Sequence, residues 1–177
     1  AILDLKAQTV VETGTRNCRS LRIIIEAVKQ TGGHAYSIDT TVYPLRVRES
    51  TDTQYVTLLT GHSLEVPWEQ PINVFFSDSS HEYNIVMEEL DRFWPFITTP
   101  GLAIVADCDS HFEAKRAVFD WAEEREMGFI YDNRAQGAAY FLKPVYPTHY
   151  RDGVGSKGRH QIVIRDVDEC PPPSQVA

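Results

Sequence analysis

The sequence predicts an α/β fold, a doubly wound and mostly parallel sheet that ends in a C-terminal antiparallel hairpin. Three observations carry this expectation. Short β-branched or apolar runs alternate with amphipathic helical patterns from residue 10 to residue 142, and such alternation places parallel strands between crossover helices. Two of the runs, 72–77 and 102–106, are apolar almost throughout, as strands covered on both faces are. The last two runs, 128–131 and 138–142, are separated by the short polar stretch Asp132-Asn133-Arg134-Ala135-Gln136-Gly137, a connection that suits a hairpin.

The first unit is Val10-Val11-Glu12-Thr13-Gly14-Thr15-Arg16-Asn17-Cys18-Arg19-Ser20, followed by Leu21, Ile24, Ile25 and Val28 at i, i+3, i+4 and i+7. It reads as strand, tight turn and amphipathic helix, the unit that opens a nucleotide-binding α/β domain. Gly14 allows close backbone approach to a ligand, and the free N–H groups at the helix start favour polar or anionic atoms. A dinucleotide fingerprint is excluded, because Arg16 and Arg19 stand where its glycines would be. The helix stops at Thr31-Gly32-Gly33.

A second strand over 34–39 finishes on Asp39, about 20 residues beyond the glycine turn, where an acid can accept from ribose hydroxyls or make a turn. Residues 40–50 read as a short irregular helix interrupted by Pro44, and 54–59 as a third strand ended by Gly61-His62-Ser63. A loop over 64–71 leads to the fourth strand, 72–77, which ends in Asp78-Ser79-Ser80-His81. A long helix follows with Tyr83, Val86, Met87, Leu90, Phe93 and Ile97 on one face, its last turn disturbed by Pro95. Pro100-Gly101 reads as a turn before the fifth strand, 102–106, which ends in Asp107-Cys108-Asp109. Ser110 and Glu113 have capping-box spacing, and Ala114, Ala117, Val118, Trp121 and Ala122 supply the next helix with its apolar face. The α/β domain is expected over 1–143. Residues 144–177 form a polar, glycine-rich extension with one strand-like piece, 161–165, and a Pro171-Pro172-Pro173 end.

The bulk composition narrows the function classes. Of 177 residues, 42% are apolar and 24% charged, a globular balance. Seventeen basic against 25 acidic residues give a net charge of -8, which argues against nucleic-acid or anionic-membrane partners. Cys18, Cys108 and Cys170 are odd in number and far apart, so neither a disulfide framework nor a CxxC metal site is indicated, and reduced thiols in a cytoplasmic chain are expected. No apolar run approaches the ~20 residues of a membrane span, and no signal-peptide pattern opens the sequence. Phe93-Trp94 and the tail strand offer surfaces for a homo-oligomer, although Phe93 is more simply core.

Glu12, Asp39, Asp78 and Asp107 all fall at predicted C-terminal strand ends, where an open parallel sheet binds its ligand. Four acids at one edge repel unless ligand hydroxyls, amines or a cation share the site. His81, three residues after Asp78, could face the same cavity and take a proton from a hydroxyl, or simply bond backbone at a helix start. His111, beside Asp107 and Asp109, reads either as part of a metal shell or as a solvent-facing side chain.

These residues resemble the class I S-adenosylmethionine-dependent methyltransferases, whose fold is Rossmann-like, and among them the small-molecule O-methyltransferases related to catechol and macrolide-sugar O-methyltransferases. The resemblance spans about residues 8–143. Val11-Glu12-Thr13-Gly14-Thr15 looks like the family's first motif, against the methionine part of the cofactor, and Asp39 matches its ribose-binding acid. Gly61-His62-Ser63 stands where the family contacts adenine. Asp78-Ser79-Ser80-His81 is similar to the D-x-x-H of sugar methyltransferases, which implies a metal-binding aspartate and a histidine base. Asp107 matches the second metal acid.

The resemblance thus implies cofactor contacts at Glu12, Gly14, Thr15, Asn17, Ser20, Asp39, Thr40, His62, Ser63 and Asp78, a catalytic His81, and Asp78, Asp107 and Asp109 around Mg2+ or another divalent cation. The acceptor would be a hydroxylated small molecule, a sugar or polyphenol. Two positions depart from the pattern. Cys18 replaces a usual glycine and Cys108 a usual Asn or Asp. They support an alternative, a methyltransferase-like binding domain without turnover. A nucleotide-sugar or dinucleotide enzyme on a similar sheet is a third reading.

Overall fold

The computed structural model describes residues 1–41 and 51–143. Most of the irregular helix expected over 40–50, the strand-like piece at 161–165 and the whole extension lie outside the described residues. In chain order the elements are β1 (Thr9–Thr13), α1 (Arg19–Thr31), β2 (His34–Asp39), β3 (Val56–Thr60), β4 (Ile72–Ser77), α2 (Tyr83–Phe93), β5 (Ile97–Val105), α3 (Phe112–Glu124), β6 (Ile130–Asp132) and β7 (Ala138–Lys143). They build a seven-stranded sheet ordered β3-β2-β1-β4-β5-β7-β6. Pairing is parallel from β3 to β5, and β7 runs antiparallel to both β5 and β6. The expected fold class is the one observed.

Alternation along the strands divides the core between the two faces of the sheet. Val11, Phe75 and Ala103 face one side, with Leu90 and Phe93 of α2 and Trp121 of α3. Val10, Val74 and Leu102 face the other, with Leu21, Ile24, Ile25 and Val28 of α1. These four α1 side chains are the apolar stripe read from the sequence, and each fully buried one contributes about 1.5–3 kcal/mol. Strand order reverses between β1 and β4, which makes the carboxyl ends of β1, β2, β4 and β5 the switch point where such sheets bind ligands.

Four local expectations are corrected. Helix α2 ends at Phe93, a single 3-10 turn takes Trp94–Phe96, and Ile97 opens β5 instead of closing the helix, because Pro95 has no N–H for a helical bond. Pro100-Gly101 does not make a turn between elements. Pairing jumps from Ile72↔Ile97 to Val74↔Leu102, so the extra residues bulge out within one strand. The third strand begins at Val56, after a 3-10 turn over Thr51–Tyr55. No capping box forms at Ser110. The residue preceding α3 is His111, and the Glu113 carboxylate instead accepts the Tyr83 N–H at the start of α2, 3.4 Å away.

Phe93 is fully buried, and Trp94 is half-buried and packs edge-on against Trp121 at 5.3 Å. Among the described residues, no helix is long and apolar enough to cross a membrane.

Candidate active site

A cavity of about 760 Å³ opens at the switch point. Its floor is the turn after β1. Gly14 adopts φ +90°, and a Cβ there would stand 2.2 Å from the carbonyl oxygen of Asp78, so only glycine lets the turns after β1 and β4 touch. The Asp78 N–H donates to the Thr13 carbonyl at 3.0 Å and closes that contact. Arg16 and Cys18 also hold positive φ, 38° and 60°, conformations that cost a non-glycine residue of order 1–3 kcal/mol. Cys18 is nevertheless fully buried against α1 and accommodated in the loop.

On the β2 side the cavity is lined by Thr15, Asn17, Ser20, Asp39, Thr40, His62 and Ser63, together with Gly14. These are eight of the ten residues expected at the cofactor. Asp39 makes the turn read for it. Its carboxylate accepts the Arg16 N–H and the Thr41 N–H, each at 2.9 Å, and it still faces the cavity with lone pairs to spare. His62 Nδ1 accepts the Leu64 N–H at 3.2 Å, which fixes the ring's edge over the turn after β3.

Glu12 differs from its expected place. It does not line the cavity but lies beneath it, 1% exposed, because the strand's alternation points it with Val10 toward α1. Its carboxyl group accepts Ser37 Oγ at 2.6 Å and Ser20 Oγ. A further Thr15–Ser37 hydroxyl contact of 2.6 Å continues the chain. Burial pushes the Glu12 carboxyl up to about 7, against the pull of the two serine bonds. Glu12 therefore stiffens the loop from below.

On the β4–β5 side stand Asp78, His81, Asp107 and, from the start of α3, His111. His81 Nε2 lies 3.7 Å from Asp78 Oδ1 and 3.6 Å from Asp107 Oδ2. That nitrogen is buried and has no hydrogen-bond partner. The imidazoles of His81 and His111 stack with centroids 4.0 Å apart and planes inclined by 19°.

Asp109 is the second correction. Asp107 turns the chain through φ 57°, and the N–H groups of Cys108 and Asp109 are pinned to the carbonyls of Gly137 and Gln136 at 3.1 and 2.7 Å. Asp109 thereby leaves the cavity and bonds Lys115 at 2.6 Å and Tyr131 at 2.8 Å. These bonds, Lys115 foremost, hold its carboxyl below the usual range. Cys108 is turned inward, its thiol bonded to the Val105 carbonyl at 3.4 Å and pushed up to about 12 by burial.

Sequence reading missed one buried group altogether. Glu89 is fully buried on α2 and accepts Ser77 Oγ at 2.6 Å, Ser79 Oγ at 2.5 Å and Thr13 Oγ1 at 3.0 Å. It ties the ends of β1 and β4 to the turn that carries His81. The signal was present, since an acid at position 89 interrupts the apolar stripe of Val86, Leu90 and Phe93. Gln136, from the hairpin, also reaches the cavity without any sequence signal.

A family model described as a methyltransferase domain matches residues 11–108, more than half of the chain. The chain belongs to this methyltransferase family. It is thereby placed among the S-adenosylmethionine-dependent methyltransferases, and the matched segment holds cavity residues of both sides from Gly14 to Asp107. A search of curated proteins finds no match.

The methyltransferase's fold is similar to several solved structures. One is the Streptomyces achromogenes O-methyltransferase of tomaymycin synthesis, in complex with S-adenosylmethionine (TM-score 0.62, 13% identity, 81% of this chain and 76% of that one). Another is a TDP-rhamnose 3'-O-methyltransferase of calicheamicin biosynthesis (0.62, 16%, 76% and 71%). A third is a Clostridium thermocellum protein described as an rRNA methylase (0.58, 16%, 77% and 88%). At these identities the likeness is one of fold.

Proposed function

We propose that this methyltransferase transfers the methyl group of S-adenosylmethionine to a hydroxyl of a small molecule, a sugar or a polyphenol-like acceptor, and that His81 takes the hydroxyl proton. The observation that carries the reading is the buried, unpartnered Nε2 of His81 between two carboxylates, on the far side of β1 from Asp39. In the step itself the acceptor oxygen attacks the methyl carbon and the carbon–sulfur bond breaks. S-adenosylhomocysteine leaves as a neutral thioether, and the proton moves to His81. The resulting imidazolium is stabilised by Asp78 and Asp107. The rest of the chemistry is alignment of oxygen, carbon and sulfur by the cavity walls.

Support for a small acceptor comes from the net charge of -8, which disfavours a nucleic-acid substrate, and from relatives in fold that act in sugar and tomaymycin chemistry. Asp78 and Asp107 would supply the oxygen ligands of a divalent ion, which would orient the acceptor and lower its pKa. Cys108 is buried and Asp109 is engaged elsewhere, so neither would add to these two carboxylates, and a hard ion such as Mg2+ would complete its octahedron with water and acceptor oxygens. Cys18, a ground for the non-catalytic alternative, sits in its loop without displacing it.

The test is transfer from methyl-labelled S-adenosylmethionine to a catechol and to a nucleoside-diphosphate sugar, with wild type and His81→Ala. Loss of the base lowers the rate about 10²–10⁴-fold while S-adenosylhomocysteine affinity changes little. Equal losses of rate and affinity, or no transfer by the wild type to either acceptor, contradict the reading.

A further inference from the structure

We propose that His81, Asp107 and His111 form a binding site for a borderline divalent transition-metal ion, Zn2+ first among them, whose occupancy competes with proton removal by His81. Only the competition rests on the methyltransferase reading; the metal site stands on geometry. One ligand atom from each of the three residues lies within 4.8 Å of the others. One pair, His81 Nε2 and Asp107 Oδ2, is 3.6 Å apart. In a tetrahedral zinc site with bonds of about 2.0–2.1 Å, neighbouring ligand atoms stand about 3.3 Å from each other. That pair is therefore almost at ligand spacing, and the exposed His111 ring, stacked on His81 with centroids 4.0 Å apart, reaches the same ion by turning out of the stack so that its in-plane lone pair converges with that of His81.

Three independent features hold these donors in place. Asp107 is fixed in its left-handed turn after β5, His111 occupies the residue before α3 without a side-chain cap bond, and His81 follows the turn that Glu89 anchors through Ser79. The His81 nitrogen is buried without a protein partner, and a bound ion would supply one. Two imidazoles with one carboxylate select Zn2+, Co2+ or Ni2+ over Mg2+, which binds oxygen and dehydrates reluctantly. Asp78, 3.7 Å from His81 Nε2, adds negative charge at the rim. An ion bound to Nε2 occupies the lone pair that would receive the acceptor's proton, so an ion held this way, unlike one held by Asp78 and Asp107 alone, excludes turnover.

The experiment is calorimetric titration of tag-free protein with ZnCl2 and with MgCl2, on wild type, His111→Gln and Asp107→Asn. His111 is exposed, so its replacement leaves the core intact. The expected result is one Zn2+ per chain at micromolar Kd, at least about 100-fold tighter than Mg2+. Each variant should weaken Zn2+ by about tenfold or more. Co2+ should give visible ligand-field absorption in the wild type that fades in His111→Gln. Zn2+ binding no tighter than Mg2+, or unchanged in both variants, overturns the site. Zn2+ bound with methyl transfer undiminished overturns the competition. Failure of the metal-free protein to bind S-adenosylhomocysteine overturns the methyltransferase reading and leaves the metal site standing.

Discussion

The two sides of the cavity are built on opposite plans. On the β1–β2 side the acids are already satisfied: Glu12 by Ser20 and Ser37, Asp39 by two backbone N–H groups. The wall is preorganised, and a ligand adds bonds to groups that do not have to move. On the β4–β5 side Asp78, Asp107 and two imidazoles crowd together, and one buried nitrogen has no partner. A proton or a positive charge brought to that side would meet two carboxylates and that nitrogen. Under the proposed function the contrast separates a binding wall from a reacting wall, and the two stand apart because β1 lies between them in the sheet.

The sharpest way to break this comparison is a pair of substitutions that should dissociate. His81→Ala removes only the reacting group, so the transfer rate carries the whole loss, while Asp39→Ala removes a charged acceptor from the binding wall. The latter should weaken S-adenosylhomocysteine by about 1.5–3 kcal/mol, or roughly 10–150-fold. If Asp39→Ala lowers the rate at saturating cofactor as much as His81→Ala does, the division into two walls is wrong.

A comparable effect is expected from pH. The Glu12 carboxyl is raised from 4.5 to about 7 in the fold, so the native state binds the proton more tightly than the unfolded chain. Its contribution to stability is fully present below about pH 4.5 and is lost as pH rises through about 7, some 3 kcal/mol in all. Urea unfolding of wild type and Glu12→Gln across pH 5–8 should show that the variant loses this part of the slope. Parallel slopes would mean that Glu12 is ionised at little cost.

The smallest expected effect is at Cys18. Replacing it with glycine relieves a left-handed conformation worth about 1 kcal/mol but removes a buried thiol, and the net change should stay within about 1 kcal/mol either way. A larger loss by thermal unfolding would make the sulfur a major packing element of the loop.

Much of this was legible in the sequence because period and punctuation agree there. The α1 stripe, its glycine stop and the apolar runs of β4 and β5 each state a local structure that the fold keeps, and the switch-point rule then gathers Asp39, Asp78, His81 and Asp107. What was not legible depends on direction and distance. Glu12 and Asp109 are acids at plausible strand ends, but strand alternation buries the first, and the Asp107 turn with Lys115 and Tyr131 draws the second away. His111 stands immediately before α3, one residue beyond the expected cap Ser110, and from there it lines the cavity. Glu89 has meaning only once Thr13, Ser77 and Ser79, far apart in the chain, converge on it.

The central claim is that the preorganised wall is a site for S-adenosylmethionine. Its most direct test is calorimetric titration of wild type and Asp39→Ala with S-adenosylhomocysteine. Micromolar binding to the wild type, weakened at least tenfold in Asp39→Ala, is the result predicted from the charged hydrogen bond. Absence of binding at millimolar concentration, or equal affinity in the two proteins, would contradict it.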